Sequence, residues 1–576
     1  MKKLLIYLRD YKKECVLAPL FKMLEATFEL IVPLVMAVVI DDGIGKGDKS
    51  LVIKMCAVLI VLGIIGLVTS ITAQFFAAKA AVGFATKLRH ALFKHLQTLS
   101  FTEIDTLGTS TMITRMTSDV NQTQTGVNMV LRLFLRSPFV VFGAMIMAFT
   151  IDVKSALIFA VAIILLSIVV FGIMLINIPM LKDVQKKLDN VLNITRENLS
   201  GVRVIRAFCK EEEEVLRFVK KNEELTNKQK KSGSFSALMN PLTYVIINLA
   251  ILYLIWTGAI QVEAGAISKG QVVSLYNYMS QILVELIKLA NLIITVNKSV
   301  ACANRIQDVF EIKTSMEYKE KTDSLVDSEY AVEFRNVCLT YKSAGAESLT
   351  DINFVARKGE TIGIIGGTGS GKSSLVNMIP RFYDATKGEV LIDGINVKNY
   401  KREDLMDKVG IVLQKAVLFK GTIESNIKWG KKDATTDEIN KAVMIAQGSD
   451  VVKAKGGLDA VIAQGGKNLS GGQRQRMTIA RALVKKPKIL ILDDSASALD
   501  MATDARLRKS IRELDYNPTV FIVSQRTAAI QNADKIIVLD DGNVVGMGTH
   551  KELLENCEIY SEIYYSQYRE EEKNND

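Results

Sequence analysis

The chain has 576 residues, of which 49% are hydrophobic and 23% charged, and its formal net charge is +10. The apolar residues are concentrated before about Val300, which indicates a membrane part followed by a soluble part. The basic residues flank apolar spans, a pattern typical of cytoplasmic loops on anionic lipid, and this argues against nucleic-acid binding. The six cysteines are scattered without a CxxC pair, which argues against a metal site or a disulfide framework.

Six apolar stretches are each long enough to cross a bilayer, which takes about 20 residues as a helix. The loops after the first, third and fifth stretches are short, whereas those after the second and fourth are long and rich in Lys and Arg. The positive-inside rule therefore predicts a multi-pass membrane protein whose termini and long loops lie in the cytoplasm. The predicted spans are 15–40, 51–75, 131–151, 155–178, 241–260 and 272–295.

The two long loops keep the helical spacing of apolar and charged residues, for example over residues 76–97. The membrane helices are therefore predicted to continue by about 25 residues, on the order of 35–40 Å, into the cytoplasm. Segments near 109–122 and 202–216 are predicted to form the tips of these extensions.

Several spans carry ionisable residues, which are costly at membrane depth and usually face a cavity or a partner. Lys22, Glu25 and Glu29 are spaced to share one face of the first span. Glu285 and Lys288 lie three residues apart in the sixth span. Two interpretations of this last pair stand, namely a mutually neutralising structural pair and a contact with substrate or a gate.

The chain becomes polar over residues 312–330, which are predicted as a linker between a transmembrane domain, 1–311, and a second domain, 331–576. In the second domain, short β-type runs such as TIGIIG, KILILDD and TVFIVSQ alternate with helical segments. This alternation predicts an α/β domain with a mainly parallel sheet.

The stretch GGTGSGKSS fits the P-loop pattern G-x-x-x-x-G-K-[ST] between an apolar strand and a helical run. Backbone N–H groups of such a loop close around phosphate oxygens. Lys372 is predicted to reach the β and γ phosphates, and the Ser373 hydroxyl to ligate Mg²⁺. The predicted nucleotide-binding residues of the loop are Gly366, Gly367, Thr368, Gly369, Ser370, Gly371, Lys372, Ser373 and Ser374.

A second glycine-containing stretch, LSGGQ, opens the amphipathic run GGQRQRMTIARAL and forms another candidate anion site at a helix start. One nucleotide does not need two such sites in one domain. This site is therefore predicted to serve a nucleotide held by a different domain. Its residues are Leu469, Ser470, Gly471, Gly472 and Gln473.

The P-loop, the LSGGQ stretch, the strand that ends in Asp493 and the six spans together resemble an ATP-binding cassette (ABC) exporter of the type IV fold. The resemblance covers nearly the whole chain. It implies an N-terminal all-α six-helix transmembrane domain with long cytoplasmic helix extensions, whose tips are coupling helices. It also implies a C-terminal α/β P-loop nucleotide-binding domain with a helical subdomain. Two such domains would meet head to tail, so that each ATP lies between one P-loop and the other chain's LSGGQ.

The resemblance also implies roles for residues outside the P-loop. Tyr341 matches the aromatic residue that stacks on adenine, and Gln414 matches the glutamine that contacts Mg²⁺. Asp493 matches the aspartate that helps to hold Mg²⁺. Leu499 and Asp500 match the D-loop that faces the dimer partner.

Two catalytic positions depart from the family pattern, with Asp494 at the general-base position that is usually Glu, and Gln525 at the switch position that is usually His. Asp494 loses one C–C bond of reach, roughly 1–1.5 Å, toward the attacking water. A misplacement of about 1 Å can cost on the order of 100-fold in rate. Gln525 can donate a hydrogen bond but carries neither charge nor a transferable proton. The sequence therefore predicts a degenerate site that binds ATP and hydrolyses it slowly.

A homodimer would have two defective sites, so a heterodimer with a second ABC half-transporter is favoured. The chain resembles the degenerate-site subunit of a bacterial heterodimeric multidrug-type exporter of the plasma membrane, which moves amphiphilic small molecules by alternating access. Two alternatives remain open, namely an ATP-gated regulator or channel of ABC fold, and a lipid or peptide exporter subunit.

Overall fold

The structure is a computed structural model that describes residues 2–323, 328–342, 344–495 and 497–568. The chain divides into two compact units, of which the first comprises Met1–Gln97 and Ser110–Ile312, and the second Thr98–Thr109 and Lys313–Asp576. Part of the predicted linker, residues 324–327, lies outside the described residues.

The first unit is helical. Six helical segments in the described part of the chain, some of them made of two or more consecutive helices, are long and apolar enough to cross a membrane: Lys3–Ile44, Lys49–Thr98, Thr109–Ile151, Val153–Ser200, Glu211–Glu263 and Lys269–Glu311. Each predicted span falls inside one of these runs. The helices in chain order are α1 (Lys12–Val38), α2 (Lys49–Thr98), α3 (Phe101–Leu107), α4 (Thr109–Thr114), α5 (Val120–Leu133), α6 (Arg136–Ile151), α7 (Val153–Ser200), α8 (Val202–Ala207), α9 (Glu211–Ala237), α10 (Met239–Glu263) and α11 (Lys269–Glu311), with α3 assigned to the second unit.

Several of these helices are longer than a bilayer requires. Helix α2 has 50 residues, which corresponds to about 75 Å, against about 30 Å for a hydrocarbon core. Helix α7 has 48 residues and is preceded by the N-cap residue Asp152, whose carboxylate accepts a hydrogen bond of 2.7 Å from the backbone N–H of Ser155. The long helices thus combine an apolar span with a polar continuation.

Small residues let the membrane helices approach closely. Ala144 and Ala148 on α6 and Ala156 on α7 are fully buried in the core of the first unit. Tyr278 on α11 is also fully buried, and its hydroxyl donates a hydrogen bond of 2.6 Å to the backbone oxygen of Leu30 on α1. This bond fixes α11 against α1.

The second unit contains three sheets in its described part. Its strands are β1 (Tyr330–Leu339), β2 (Leu349–Arg357), β3 (Thr361–Gly366), β4 (Lys387–Ile392), β5 (Ile395–Asn396), β6 (Val409–Val412), β7 (Gly421–Thr422), β8 (Val461–Ile462), β9 (Ile489–Asp493), β10 (Thr519–Val523), β11 (Lys535–Asp540) and β12 (Asn543–Gly548). The largest sheet has the order β12-β11-β3-β10-β9-β6 and is parallel except for the β11–β12 pair. The other sheets are antiparallel, with orders β2-β1-β4-β5 and β7-β8.

The central strands explain why the parallel sheet forms. All residues of β9 and β10 are buried, and both strands are apolar apart from Asp493 and Thr519, as expected for strands covered on both faces. The helices of this unit are α12 (Lys372–Met378), α13 (Arg402–Lys408), α14 (Ile423–Ile427), α15 (Thr436–Ile445), α16 (Ser449–Lys455), α17 (Gly471–Leu483), α18 (Met501–Arg512), α19 (Thr527–Ile530), α20 (His550–Asn556) and α21 (Glu558–Gln567). The predicted fold class, a six-helix membrane domain followed by an α/β domain, is confirmed.

Candidate functional site

Four adjacent parallel strands bring the predicted site residues to one edge of the large sheet. The P-loop follows β3, Gln525 follows β10, Asp493 ends β9, and Gln414 follows β6. Because the carboxyl ends of parallel strands meet at one edge, these residues converge although they are up to 159 positions apart in sequence (525 − 366).

Two glycines of the P-loop are required by its close approach to neighbouring backbone. Gly366 has a φ of +155°, and a side chain there would collide with the carbonyl oxygen of Leu539. Gly371 has a φ of +94°, and a side chain would press on the carbonyl oxygen of Ser348. The loop can therefore wrap tightly, with its backbone available to phosphate oxygens.

The Lys372 ammonium is buried beneath the loop. It donates hydrogen bonds to the carbonyl oxygens of Gly366, at 2.9 Å, and Gly367, and to the Ser370 hydroxyl at 3.2 Å. Burial lowers the pKa of Lys372, and the charges of Asp494 and Asp493 act in the opposite direction. A phosphate group is the partner that would stabilise this charge most, because it brings full negative charge where the loop offers only carbonyl dipoles.

Ser373 and Asp493 form a pair of oxygen donors next to Lys372. The Ser373 hydroxyl donates a hydrogen bond of 3.0 Å to a carboxylate oxygen of Asp493, which is 3% exposed. Burial raises the pKa of Asp493, and the neighbouring Asp494 charge adds to this effect. Mg²⁺ prefers such oxygen ligands, and its charge would offset the burial of the carboxylate, so these residues fit Mg²⁺.

Asp494 lies beside this pair and is half-buried. Its carboxylate accepts a hydrogen bond of 3.4 Å from the Gln414 side-chain amide, so the structure brings these two predicted residues together. Its backbone N–H donates to the carbonyl oxygen of Val523 at 3.0 Å, and its φ is +44°. Asp tolerates this left-handed conformation better than most residues, and the backbone here therefore suits a short carboxylate.

Gln525 has an exposed side chain and a restrained backbone. Its carbonyl oxygen accepts a hydrogen bond of 2.8 Å from the side-chain amide of Gln567 on α21. The oxygen of the same amide accepts from the backbone N–H of Thr527 at 2.9 Å. Gln567 was not predicted as a site residue, and no motif in the sequence marks it.

One cavity of about 570 Å³ is lined by part of this set, and Asp493 and Asp494 are not among its lining residues. The sequence analysis missed its second wall, residues 344–348 with Asp541 and Gly542, since no motif marks those residues. The predicted residues that line the cavity are Thr368, Gly369, Gly371, Lys372, Ser373, Ser374, Gln414 and Gln525.

Tyr341 lies next to the P-loop helix. Its hydroxyl donates a hydrogen bond of 2.9 Å to the Ser374 hydroxyl, and its ring meets the Tyr383 ring edge-on with centroids 5.0 Å apart. Burial raises the pKa of Tyr341. Tyr383, which the sequence analysis missed, donates a hydrogen bond of 2.6 Å to the Asp105 carboxylate on α3. These contacts fix the plane of the Tyr341 ring.

Replacing Tyr341 with Ala is expected to weaken ATP binding about tenfold, because stacking of a base on an aromatic side chain contributes about 1–3 kcal/mol. Tyr341→Phe is the matched control, since it keeps the ring and removes only the hydrogen bond to Ser374. Equilibrium binding of a fluorescent ATP analogue to the purified chain measures both. An equal loss in the two variants would contradict a stacking role.

The LSGGQ stretch begins α17. The Ser470 hydroxyl accepts a hydrogen bond of 3.3 Å from the backbone N–H of Gln473, whose side chain accepts one of 3.0 Å from the N–H of Ser470. Ser470 and Gly471 are exposed, whereas Leu469 is buried. None of Leu469–Gln473 lines the P-loop cavity in the described part of the chain. The two predicted anion sites are therefore separate within one chain.

The D-loop residues follow β9. Leu499 is buried, and Asp500 caps α18 by accepting a hydrogen bond of 2.9 Å from the backbone N–H of Thr503. Asp500 is therefore engaged in a structural cap within its own chain.

The chain combines a P-loop cavity on a parallel sheet with six apolar spans. Together these define a membrane transporter that uses a nucleotide. Residues 15–286 match the ABC transporter transmembrane region, and residues 349–497 match the ABC transporter domain. The chain belongs to the ABC transporter family. It has the domain organisation of an exporter half-transporter, with a membrane region followed by an ATPase domain. The ABC domain implies ATP binding, for which Mg²⁺ is typical.

Relatives match over almost the whole length. The ABC transporter ATP-binding protein YfiB of Bacillus subtilis is 36% identical over 574 residues, with 99% of each chain covered. The ATP-dependent lipid A-core flippase of Hahella chejuensis is 30% identical over 522 residues, covering 90% of this chain and 89% of the flippase. A bacterial Atm1-family ABC exporter solved with ATP bound shares the fold, with a TM-score of 0.80 at 23% identity and coverage of 97% and 98%.

Proposed function

We propose that this chain is the degenerate-site subunit of a heterodimeric exporter. The observation that carries the proposal is Asp494, a short carboxylate that follows Asp493 and is bonded to Gln414 at the edge of the P-loop site. Gln525 and Gln414 both line the P-loop cavity. Asp494 lacks the reach, and Gln525 the charge, that hydrolysis uses. The remaining P-loop residues are those that binding of ATP needs.

The contacts of the P-loop and of Tyr341 support nucleotide binding. Lys372 and the loop amides hold the phosphates, and Tyr341 stacks on the base. Ser373, Asp493 and Gln414 hold Mg²⁺, which neutralises phosphate charge when bound. With Asp494 too short to orient water and Gln525 uncharged, ATP stays bound at this site for longer than at a site with Glu and His.

The exposed helix start at Ser470 and Gly471 serves the ATP of the partner half-transporter. Both residues are exposed, and the Ser470–Gln473 capping box holds the first turn of α17. A preformed cap lowers the ordering cost of binding a phosphate there. The D-loop contacts the partner near Asp500, whose side chain caps α18, whereas Leu499 packs into the core of its own chain. In this scheme the partner supplies the Glu and His of the faster site.

The exporter is placed in the bacterial plasma membrane with both termini and the nucleotide-binding domain in the cytoplasm. The Lys- and Arg-rich long loops support this orientation through the positive-inside rule. The transported compounds are amphiphilic small molecules. A lipid exporter is the second candidate, and the similarity to a lipid A-core flippase favours it.

The proposal is tested by Asp494→Gln in the complex of this chain with its partner half-transporter. ATP turnover is expected to change by less than about twofold, because the faster site lies on the partner. The purified single chain is expected to hydrolyse ATP slowly. Fast hydrolysis by the single chain that is abolished in Asp494→Ala would contradict the proposal. Phosphate release assays measure both outcomes.

A further inference from the structure

A row of four alternating charges joins α1, α6 and α11 in the first unit. Arg136 donates hydrogen bonds of 2.6 Å to Glu29 and 2.5 Å to Glu285. Glu285 also accepts bonds of 2.8 Å from Lys288 and from the Ser137 hydroxyl. We call these four residues the charged row: Glu29, Arg136, Glu285 and Lys288, whose charges alternate from negative to positive. The sequence analysis missed Arg136 on α6, although an arginine within a predicted membrane span could have drawn attention to it.

The inner and outer members of the charged row differ in exposure. The side chains of Arg136 and Glu285 are 7% and 4% exposed, so they form a buried ion pair. The side chains of Glu29 and Lys288 are each 42% exposed. Burying the inner pair costs desolvation energy, which the hydrogen bonds between Arg136 and Glu285 offset. The outer charges, Glu29 and Lys288, remain accessible to a ligand.

Both outer charges line a groove of about 490 Å³ between α1 and α11. Its apolar wall includes Val32 and Met36 from α1 and Val284 from α11. Val32 and Met36 follow Glu29 at helical spacing on α1, and Val284 precedes Lys288 by one turn on α11. The groove therefore has charged groups and an apolar surface on the same two helices.

The groove has unused hydrogen-bonding capacity. In the part of the chain that the structure describes, the buried side-chain oxygen of Gln281, which lines the groove, has no hydrogen-bond partner. A buried acceptor without a donor costs about 1–3 kcal/mol, so it points to a donor from outside the chain. Lys288 has three N–H donors, of which one is bonded to Glu285.

We propose that the α1–α11 groove binds the headgroup of a zwitterionic amphiphile. The cationic group of the ligand pairs with Glu29, its anionic group pairs with Lys288, and its apolar chain lies along Val32, Met36 and Val284. The inference rests on the proposed exporter function and names the chemical class of its substrate.

The balance of charges favours a zwitterion over a singly charged ligand. The charged row contains two acids and two bases, so it is neutral by itself. A ligand of one sign would leave a net charge in the membrane and one outer side chain without a counterpart, which is costly at this depth. A zwitterion engages both outer side chains and keeps the site neutral.

Three probes with the same octyl chain test the inference: octylphosphoethanolamine, octyl methyl phosphate and octylammonium, which are zwitterionic, singly anionic and singly cationic. Equilibrium binding of each to the full-length chain in nucleotide-free nanodiscs is measured against empty nanodiscs. The wild-type chain is expected to bind octylphosphoethanolamine about tenfold more tightly than either singly charged probe, the contribution of one charge-assisted hydrogen bond. Equal binding of the three probes would overturn the inference, and this comparison decides even if a variant fails to fold.

Substitution of each outer charge gives opposite shifts in preference. Glu29→Gln is expected to weaken octylphosphoethanolamine binding about tenfold without weakening octyl methyl phosphate, whereas Lys288→Gln is expected to weaken octylphosphoethanolamine and octyl methyl phosphate without weakening octylammonium. Lys298→Gln is the matched control, because Lys298 is an exposed lysine of the same helix outside the groove. A parallel loss for all three probes in both variants would indicate a structural role and overturn the inference.

One experiment identifies the source of the zwitterion, and another distinguishes failure of the groove assignment from failure of the proposed exporter function. If phosphatidylethanolamine added to phosphatidylglycerol nanodiscs competes with the zwitterionic probe, the natural ligand is a lipid headgroup. If it does not compete, the natural ligand is a free amphiphile. Both results support a zwitterionic ligand. Binding needs no nucleotide, so a chain that binds the zwitterion without exporting anything contradicts only the proposed function. Export that is indifferent to headgroup charge contradicts only the groove assignment.

Discussion

Replacing Ser470 with Asp in the complex of this chain with its partner half-transporter is expected to lower ATP turnover by on the order of 100-fold or more. Asp is as good an N-cap as Ser, so α17 keeps its first turn. The new carboxylate, however, would stand against a phosphate of the partner's ATP. Two like charges about 4 Å apart repel by about 4 kcal/mol at an effective dielectric constant of about 20, and about 1.4 kcal/mol corresponds to tenfold.

The matched control is Thr435→Asp. Thr435 caps α15 through the same reciprocal pair of bonds, with Glu438 in the place of Gln473, and it is exposed in the same way. This substitution tests the cap without touching a nucleotide and is expected to leave turnover unchanged. If Ser470→Asp turned over ATP as fast as Thr435→Asp, the exposed helix start would have no role at the partner's ATP. Steady-state phosphate release from the reconstituted pair measures the difference.

The second large effect is a gain of function. The double variant Asp494→Glu, Gln525→His is expected to raise hydrolysis at this chain's own P-loop by on the order of 100-fold. The longer carboxylate restores roughly 1–1.5 Å of reach, and the imidazole adds a group that can carry charge and a proton. Glu is less suited than Asp to the φ of +44° at this position, so some of the gain is lost to backbone strain.

The control for this gain is Asp494→Asn with Gln525→His. It supplies the imidazole but removes the carboxylate, and Asn tolerates the left-handed backbone as Asp does. Comparison of the two double variants by single-turnover hydrolysis isolates the effect of the carboxylate. Equal rates in the two would mean that the residue after Asp493 is not the general base of this site.

The membrane architecture was predictable because the bilayer imposes a strict rule on composition. Each run of about 20 apolar residues had to be a helix, and each predicted span lies inside an observed run. The polar continuations of the helices were predictable as well, because apolar and charged residues keep a helical spacing beyond the spans: α2 continues to Thr98 and α7 to Ser200, as the predicted extensions of about 25 residues require. How these helices pack against one another depends on tertiary contacts, which the hydropathy pattern does not contain.

In the candidate site, the sequence likewise predicted what depends on neighbouring residues and missed what depends on residues distant in the chain. The P-loop and LSGGQ stretches were predictable because their geometry is encoded within a few consecutive residues. The bond from Gln414 to Asp494 spans 80 positions, and that from Gln567 to Gln525 spans 42. Likewise, Glu285 was paired with Lys288, three residues away, while its buried partner Arg136 lies 149 positions away. Such partners depend on the order of strands and helices in space.

The neutrality of the charged row has an electrical consequence. Moving one elementary charge across a membrane changes its energy by about 2.3 kcal/mol for each 100 mV of potential. Glu29, Arg136, Glu285 and Lys288 carry no net charge together, and a bound zwitterion adds none. If α1 and α11 reorient with the proposed zwitterion bound, these four side chains and the ligand carry no net charge across the field. We therefore expect export through this groove to be insensitive to the membrane potential, which transport into vesicles at imposed potentials measures.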